Sequence, residues 1–525
     1  MNSKTAWLGI WLIWVVPVYS DEFHSHPPPE KLGKVSFPTS CSATVARDFE
    51  RSVALLHSFA YTASEQSFRK VAAADPNCAM AHWGIAMSFY HPLWSVPSPT
   101  ELQDGRLEVK RAQALVTNRV TPRERQFIAA AAAYYRDANQ APPLRAQAYA
   151  DAMSSAARSN PKDSEAQAFY ALSLIATAPP EDASHANQKR AAKLLEPIYR
   201  SQPDHPGAVH YLIHAYDSAE LAPRGLEAAR AYSKIAPSAP HALHMPSHIF
   251  TRLGLWDDSI ASNRLARAAA HEQADLGEEL HAMDYLTYAY LQRGQNSDAE
   301  RVVANLRAMD VLAAPGGDFK IDYAATAMPV RLAVERKAWR AAADLPTIPG
   351  AAPQIAAITF WARAMANARS GRPSAADSDI VQIEACKEQL QAAGNAYWAT
   401  QVDILEKEAK AWQLAAAAGA QESAQLLRQA ADEEDAVEKL PVTPGPIVPA
   451  REQLGELLLQ QNQPQQALRE FRAALVLAPG RRGALLGAAE AAERIGDART
   501  AAQMRAALSN VLEGWEISRH GGAVP

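Results

Sequence analysis

The chain has 525 residues, with 52 Lys and Arg against 57 Asp and Glu, a formal net charge of −5, and 48% hydrophobic residues. A length well beyond the ~250–300 residues at which one core stops growing calls for several domains or an elongated repeat array. Much of the apolar content is alanine and alternating β-branched runs are scarce, which disfavours strands. Lys and Arg are scattered, which excludes a general nucleic-acid binder with its clustered basic face.

Lys4 precedes an apolar run from Ala6 to Tyr19, with Val18 and Ser20 where a signal peptidase reads small or neutral residues. Residues 1–20 are therefore expected to form a signal peptide, cleaved after Ser20, and the mature chain to be periplasmic or secreted. As an uncleaved anchor the run of about 14 residues falls short of the roughly 20 needed to span a bilayer. Later apolar stretches are interrupted by charged residues, Gln or Pro, so no membrane span is expected after cleavage. Export permits disulfides, and Cys41 and Cys78 are the pair closest in sequence; the alternative leaves both, with Cys386, as buried thiols.

Residues 21–41, with His24, His26 and Pro27 to Pro29, read as an irregular leader. From residue 42 the chain settles into helices of about 12–16 residues, punctuated by Pro or Gly at intervals in the thirties, the period of a helical solenoid. Between Arg451 and Gly480, Leu454, Gly455 and Leu458 mark one helix, Ala467, Phe471 and Ala474 a second, and Pro479 closes the hairpin. A weaker unit follows through Leu485, Gly496 and Ala501. Upstream, the same punctuation is traced by Phe68 with Pro76, by Pro161, by Pro203, by Pro237 with Gly254, and by Gly294 with Ala299.

This spacing resembles the tetratricopeptide repeat. It implies an all-α, right-handed solenoid of helical hairpins. The array is expected over residues 42–345, hairpins of irregular spacing over 346–439, a C-terminal pair over 450–515 and a tail over 516–525. Four prolines and a glycine in residues 440–449 exclude a helix and predict a stiff linker separating the C-terminal pair from the rest. HSFAY near His57, DPNCAMAHWGIAM from Asp75 and PVTPGPIVPAREQLGELL from Pro441 are also similar to a group of exported bacterial tetratricopeptide proteins, a resemblance that implies fold and export but no reaction.

Of the fifteen histidines, eight lie between 205 and 281. His210 and His214 stand seven and eleven residues after Pro203, and His244 and His248 stand at the same intervals after Pro237. Counted back from the turn glycines, His241, His244 and His248 before Gly254 align with His281, Asp284 and Tyr288 before Gly294. Spacings of three, four and seven share a helix face. The resemblance places that face on the concave groove, with Asp217 extending the stripe. Two imidazoles at i and i+4 can chelate one transition metal, and a neighbouring helix can complete the shell. His210, His214, His244 and His248 are thus the candidate metal ligands, with His241, His281, Asp217 and Asp284 as further candidates.

Copper, zinc and iron all suit imidazole. A groove without metal, in which imidazoles donate hydrogen bonds to a peptide, protein or small polar ligand and Arg224 or Arg252 supplies charge, fits the same pattern, as does simple packing between repeats. The same cluster, aided by Asp217, Asp284 or Tyr288, would also suit a metal-dependent enzyme.

Other chemistry is not indicated. His271–Glu272 lacks the second histidine four positions on that a zinc protease helix requires, and Gly316–Gly317 lacks the Lys and hydroxyl of a phosphate loop. No serine-hydrolase elbow is present. His57, His82 and His91 among Trp83, Tyr90 and Trp94 read as packing between helices. The acidic run Asp432 to Asp435 reads as a solvated helix end.

Overall fold

A computed structural model of the chain describes residues 30–93, 96–309 and 319–520. The expected signal peptide, His24, His26, Trp94, the Gly316–Gly317 turn and the last five residues of the tail lie outside them. Among the described residues there is no strand. Helices follow one another as antiparallel hairpins, and the first helices of neighbouring hairpins also touch: Ala46–His57 with Ala79–Ser88, Ser164–Ala176 with Pro206–Ala215, and Leu276–Gln292 with Phe319–Glu335. This is the tetratricopeptide-like solenoid expected from the spacing.

Local chemistry sets the boundaries. Ser98 and Thr121 form capping boxes with Glu101 and Glu124, and each is followed by a proline whose missing N–H costs nothing in the first turn. Close helix approach depends on small residues. A Cβ on Gly455 would lie 2.8 Å from the Phe471 ring, which explains the glycine that marks this hairpin. Cys41 and Cys78 form a disulfide that ties the leader to the start of the Ala79–Ser88 helix, while Cys386 is a buried thiol. The described part of the leader is docked as well: Lys34 N–H donates to the Asp204 carbonyl and Leu32 and Phe37 are buried. No helix among the described residues is long and apolar enough to cross a membrane.

The array closes on itself. Trp256 Nε1–H donates to the Gly480 carbonyl at 3.0 Å, and the fully buried Arg481 guanidinium reaches Glu335 at 2.7 Å and Glu452 at 2.6 Å. Burying that cation is tolerable only because two carboxylates pair with it.

Residues 440–449 are irregular, as their prolines require, but do not act as a spacer. Val442, Thr443 and Ile447 are buried. Arg331 donates to the Pro446 carbonyl at 3.0 Å, and Tyr285 Oη lies 3.3 Å from the Pro441 carbonyl and 3.2 Å from that of Thr443. The segment lies against the Leu276–Gln292 and Phe319–Glu335 helices through Tyr285 and Arg331, and the Tyr285 ring in turn stands beside those of His244 and His248.

At Gly254, φ is +68° and an added Cβ would lie 2.2 Å from the Pro479 carbonyl oxygen, so this turn is both left-handed and in contact with the C-terminal hairpins. Gly371 has the same backbone sign, φ +73°, and open space around it. Gly371→Ala should cost only the left-handed strain, roughly 1–2 kcal/mol. Gly254→Ala should cost clearly more, because backbone must move. Denaturant unfolding followed by circular dichroism checks this; equal losses would show that the closure contact contributes nothing.

Candidate metal centre

The Pro206–Ala215 helix carries His210 and His214 one turn apart, and the next hairpin begins with Pro240–His244 and Pro246–Arg252, carrying His241, His244 and His248. Pro246 removes one backbone donor there, but Met245 keeps right-handed helical angles, so His244 and His248 remain stacked on one face. His281 comes from the Leu276–Gln292 helix. All six imidazoles are buried, none more than 5% exposed.

They form two groups rather than one. Ligand atoms of His210, His214 and His241 lie within 4.8 Å of one another, and so do those of His244, His248 and His281. The quartet expected from the sequence is thus divided, because each i,i+4 pair finds its third imidazole on the neighbouring helix. His241 and His281 are those third members. The two triads adjoin, with the His214 and His248 ring centres 6.0 Å apart and those of His241 and His244 6.1 Å apart.

The carboxylates behave differently from expectation. Asp217 accepts from His248 Nδ1–H at 2.9 Å and also holds Arg252 at 2.8 Å and Lys439 at 3.2 Å. It orients a histidine from outside and is not a member of either triad. Burial opposes its charge, but Lys439, Arg252 and His248 together hold its carboxyl well below the usual range. Asp284 is in neither group; it pairs with Arg331 at 3.4 Å, a geometry set by the far side of its helix. Tyr288 likewise faces Trp256 and Arg481, while Tyr285 is the tyrosine beside the histidines, its ring centre 4.7 Å from that of His244. Arg224 pairs with Glu196 and Arg252 with Asp217 and Glu438, so both proposed groove cations are already matched.

Outer partners decide which ring nitrogen carries hydrogen. The carbonyl of His57, at the end of the Ala46–His57 helix, lacks an intrahelical donor, and His210 Nδ1–H donates to it at 2.6 Å. Asn263 Nδ2–H donates to the Ser259 carbonyl at 2.8 Å, which turns its Oδ1 toward His244 Nδ1 at 2.6 Å. With Asp217 ionised, His248 is likewise protonated on Nδ1. In neutral His244 and His248 both Nε2 atoms are therefore bare, and they face each other at 3.0 Å. The Nε2 atoms of His210 and His214 likewise lie 3.1 Å apart.

Two opposed lone pairs repel unless an electrophile lies between them. A proton is disfavoured: burial first, then neighbouring imidazoles, pushes His210, His214, His244 and His281 well below the ordinary histidine range, and burial lowers His248 despite Asp217. Metal to nitrogen bonds of about 2.0–2.1 Å place neighbouring ligands of one ion about 3.0–3.4 Å apart. The Nε2 pairs at 3.0 and 3.1 Å match this spacing, while the third imidazole of each triad lies within 4.8 Å of its pair.

A third group, His57, Glu165 and His205, is equally buried and was not singled out by sequence pattern. Its protons are already assigned. His205 Nδ1 accepts from Ala208 N–H at 3.1 Å as a helix N-cap, so Nε2 carries hydrogen and donates to Glu165 at 3.1 Å. Glu165 also accepts from His57 Nε2 at 2.7 Å. This is a closed hydrogen-bond network. His82 is paired with Glu108 at 2.6 Å, and His271, 75% exposed, pairs with Glu279. Asp432 and Asp435 bind Arg451, and Glu434 accepts from Ala450 N–H, so the acidic run caps the following helix instead of facing solvent freely.

That these histidines share one region of the fold was readable from their register. The partners that orient them, His57, Asn263, Glu278 and Tyr285, were not, since no spacing links them to the site. Glu278 contacts His241 Nδ1 at 3.1 Å and Lys320 at 2.7 Å.

No family model matches the chain, and no curated protein matches it. Among solved structures it is similar to a monomeric variant of IFIT1 with Gppp-AAAA, at 12% identity and a TM-score of 0.32 over 82% of this chain and 90% of that one. It is also similar to Naa15/Naa10 bound to HypK-THB, at 12% identity and a TM-score of 0.24 over 90% of this chain and 71% of that one. Superpositions this loose transfer no binding property.

The His57–Glu165–His205 network should behave as structure alone. His205→Ala removes a cap and a partner of Glu165 and should cost about 1–3 kcal/mol in denaturant unfolding. His205→Asn, which can still cap, should recover part of the loss. Metal loss in either variant with stability unchanged would contradict this assignment.

Proposed function

We propose that the chain is an exported metal-binding protein whose helical array holds a transition metal in the triad His244, His248 and His281. The observation that carries this reading is the pair of bare Nε2 atoms 3.0 Å apart, each ring locked by an acceptor on its other nitrogen. Orientation of ligating histidines by outer acceptors is the usual construction of such sites, and loss of one such acceptor lowers metal affinity about 10–100-fold. The Cys41–Cys78 disulfide supports an oxidising compartment, consistent with the apolar N-terminal run.

Recognition of a peptide, protein or small polar ligand fits this reading less directly at the histidines themselves, because residues 440–449 cover them. A cavity of about 300 Å³ beside that segment, lined by Tyr323, Tyr397, Trp398, Arg252 and Lys439, is the place such a ligand would enter.

Metal analysis of the purified mature chain tests the proposal. The parent should carry at least one tightly held transition ion per chain, and His248→Ala should empty this triad, lowering the metal content by one ion. Asn263→Leu keeps all three ligands and should weaken competition against a chelator by about 10–100-fold. A parent that takes up no copper, zinc or iron after denaturation and refolding with each would sink the reading.

A further inference from the structure

The two triads are adjacent, and nothing restricts occupation to one of them. We propose that they form a two-ion centre holding a pair of copper ions, His210, His214 and His241 binding one and His244, His248 and His281 the other. This rests on the metal reading above and extends it.

Three observations carry the second ion. In the first triad the Nε2 atoms of His210 and His214 also stand close, 3.1 Å apart, with His210 locked by the His57 carbonyl. Its third ligand, His241, is held by Glu278 as His248 is held by Asp217. The rings meet across the junction at 6.0 and 6.1 Å between centres, so two ions would be close neighbours with no protein atom required as a bridge.

Charge selects the metal. All six ligands are imidazoles, with no thiolate or carboxylate among them. The anions behind them are already matched, Asp217 by Arg252 and Lys439, Glu278 by Lys320. A pair of dications would bring four uncompensated charges into a buried site, whereas copper can enter as the monovalent ion. Divalent copper also stands highest among the first-row ions for nitrogen ligands. Zinc has no monovalent form and iron sites of this kind usually recruit a carboxylate, which neither triad contains.

The centre is also open on one side to something small. A cavity of about 130 Å³ is lined by His214, Asp217, Lys439, Pro441 and Leu93. Of the six histidines only His214 borders it, so an exogenous ligand such as water or a diatomic molecule would approach the first ion.

The full mature chain, stripped of metal, should be titrated anaerobically with copper(I) against a coloured copper chelator, and in parallel with zinc. Two copper ions per chain are expected, with zinc failing to displace them at equal concentration. His214→Ala and His248→Ala should each retain one. After oxidation, electron paramagnetic resonance of the unmutated chain should show a coupled pair, and either variant the spectrum of an isolated ion.

His214→Gln and His248→Gln serve where the alanine variants fail to fold, and the parent spectrum stands without any variant. One copper per chain, or two uncoupled ions, would overturn the pair and leave the single-site proposal intact. Preference for two zinc ions would overturn the copper assignment. Absence of any metal would remove both.

Discussion

Six imidazoles cannot be buried together unless every ring nitrogen finds a partner, and the middle of this molecule is arranged around that requirement. An unmet ring nitrogen in the interior costs roughly 1–3 kcal/mol, so six rings left to chance would consume much of the margin that holds a protein folded. On the Nδ1 side of four of the rings, those of His210, His241, His244 and His248, the demand is met with parts drawn from distant hairpins: the carbonyl end of one helix, the Asn263 amide, the carboxylates of Asp217 and Glu278. Each carboxylate is then neutralised by its own cations. What remains is two groups of imidazole nitrogens gathered closely enough to hold a metal ion each.

The closed shape of the array serves the same end. An open superhelix would leave the first helices of its hairpins facing water, where the histidines would be exposed and near their ordinary basicity. Here the C-terminal hairpins return to the middle through Trp256 and Arg481, and residues 440–449 are drawn across the face between them. Exclusion of water suppresses protonation, and suppression of protonation keeps the nitrogens available.

Much of this was legible in the sequence, and the part that was not has a physical reason. Helical hairpins announce themselves through local spacing, as in Gly455 and Phe471, and the histidines repeat in register because equivalent positions of a repeat share a face. Grouping was different. Spacing along one helix suggested His210 and His214 with His244 and His248, but rotation from one hairpin to the next carries His241 to the first pair and His281 to the second. Asp284 shares the stripe by count yet turns to Arg331, since a small angular offset on a helix separates two neighbourhoods. The role of the proline segment was hidden for another reason: its prolines forbid a helix and say nothing about what the resulting extended chain lies against.

That covering segment has a consequence for how the molecule is assembled. Its contacts with Tyr285 and Arg331 form only when hairpins more than a hundred residues apart in sequence have come together. Until then the histidines are accessible; afterwards they are enclosed. An ion held there under the proposed function would then have its entry coupled to the last stage of folding, and its retention would depend on the polypeptide's own unfolding kinetics as well as on coordination strength.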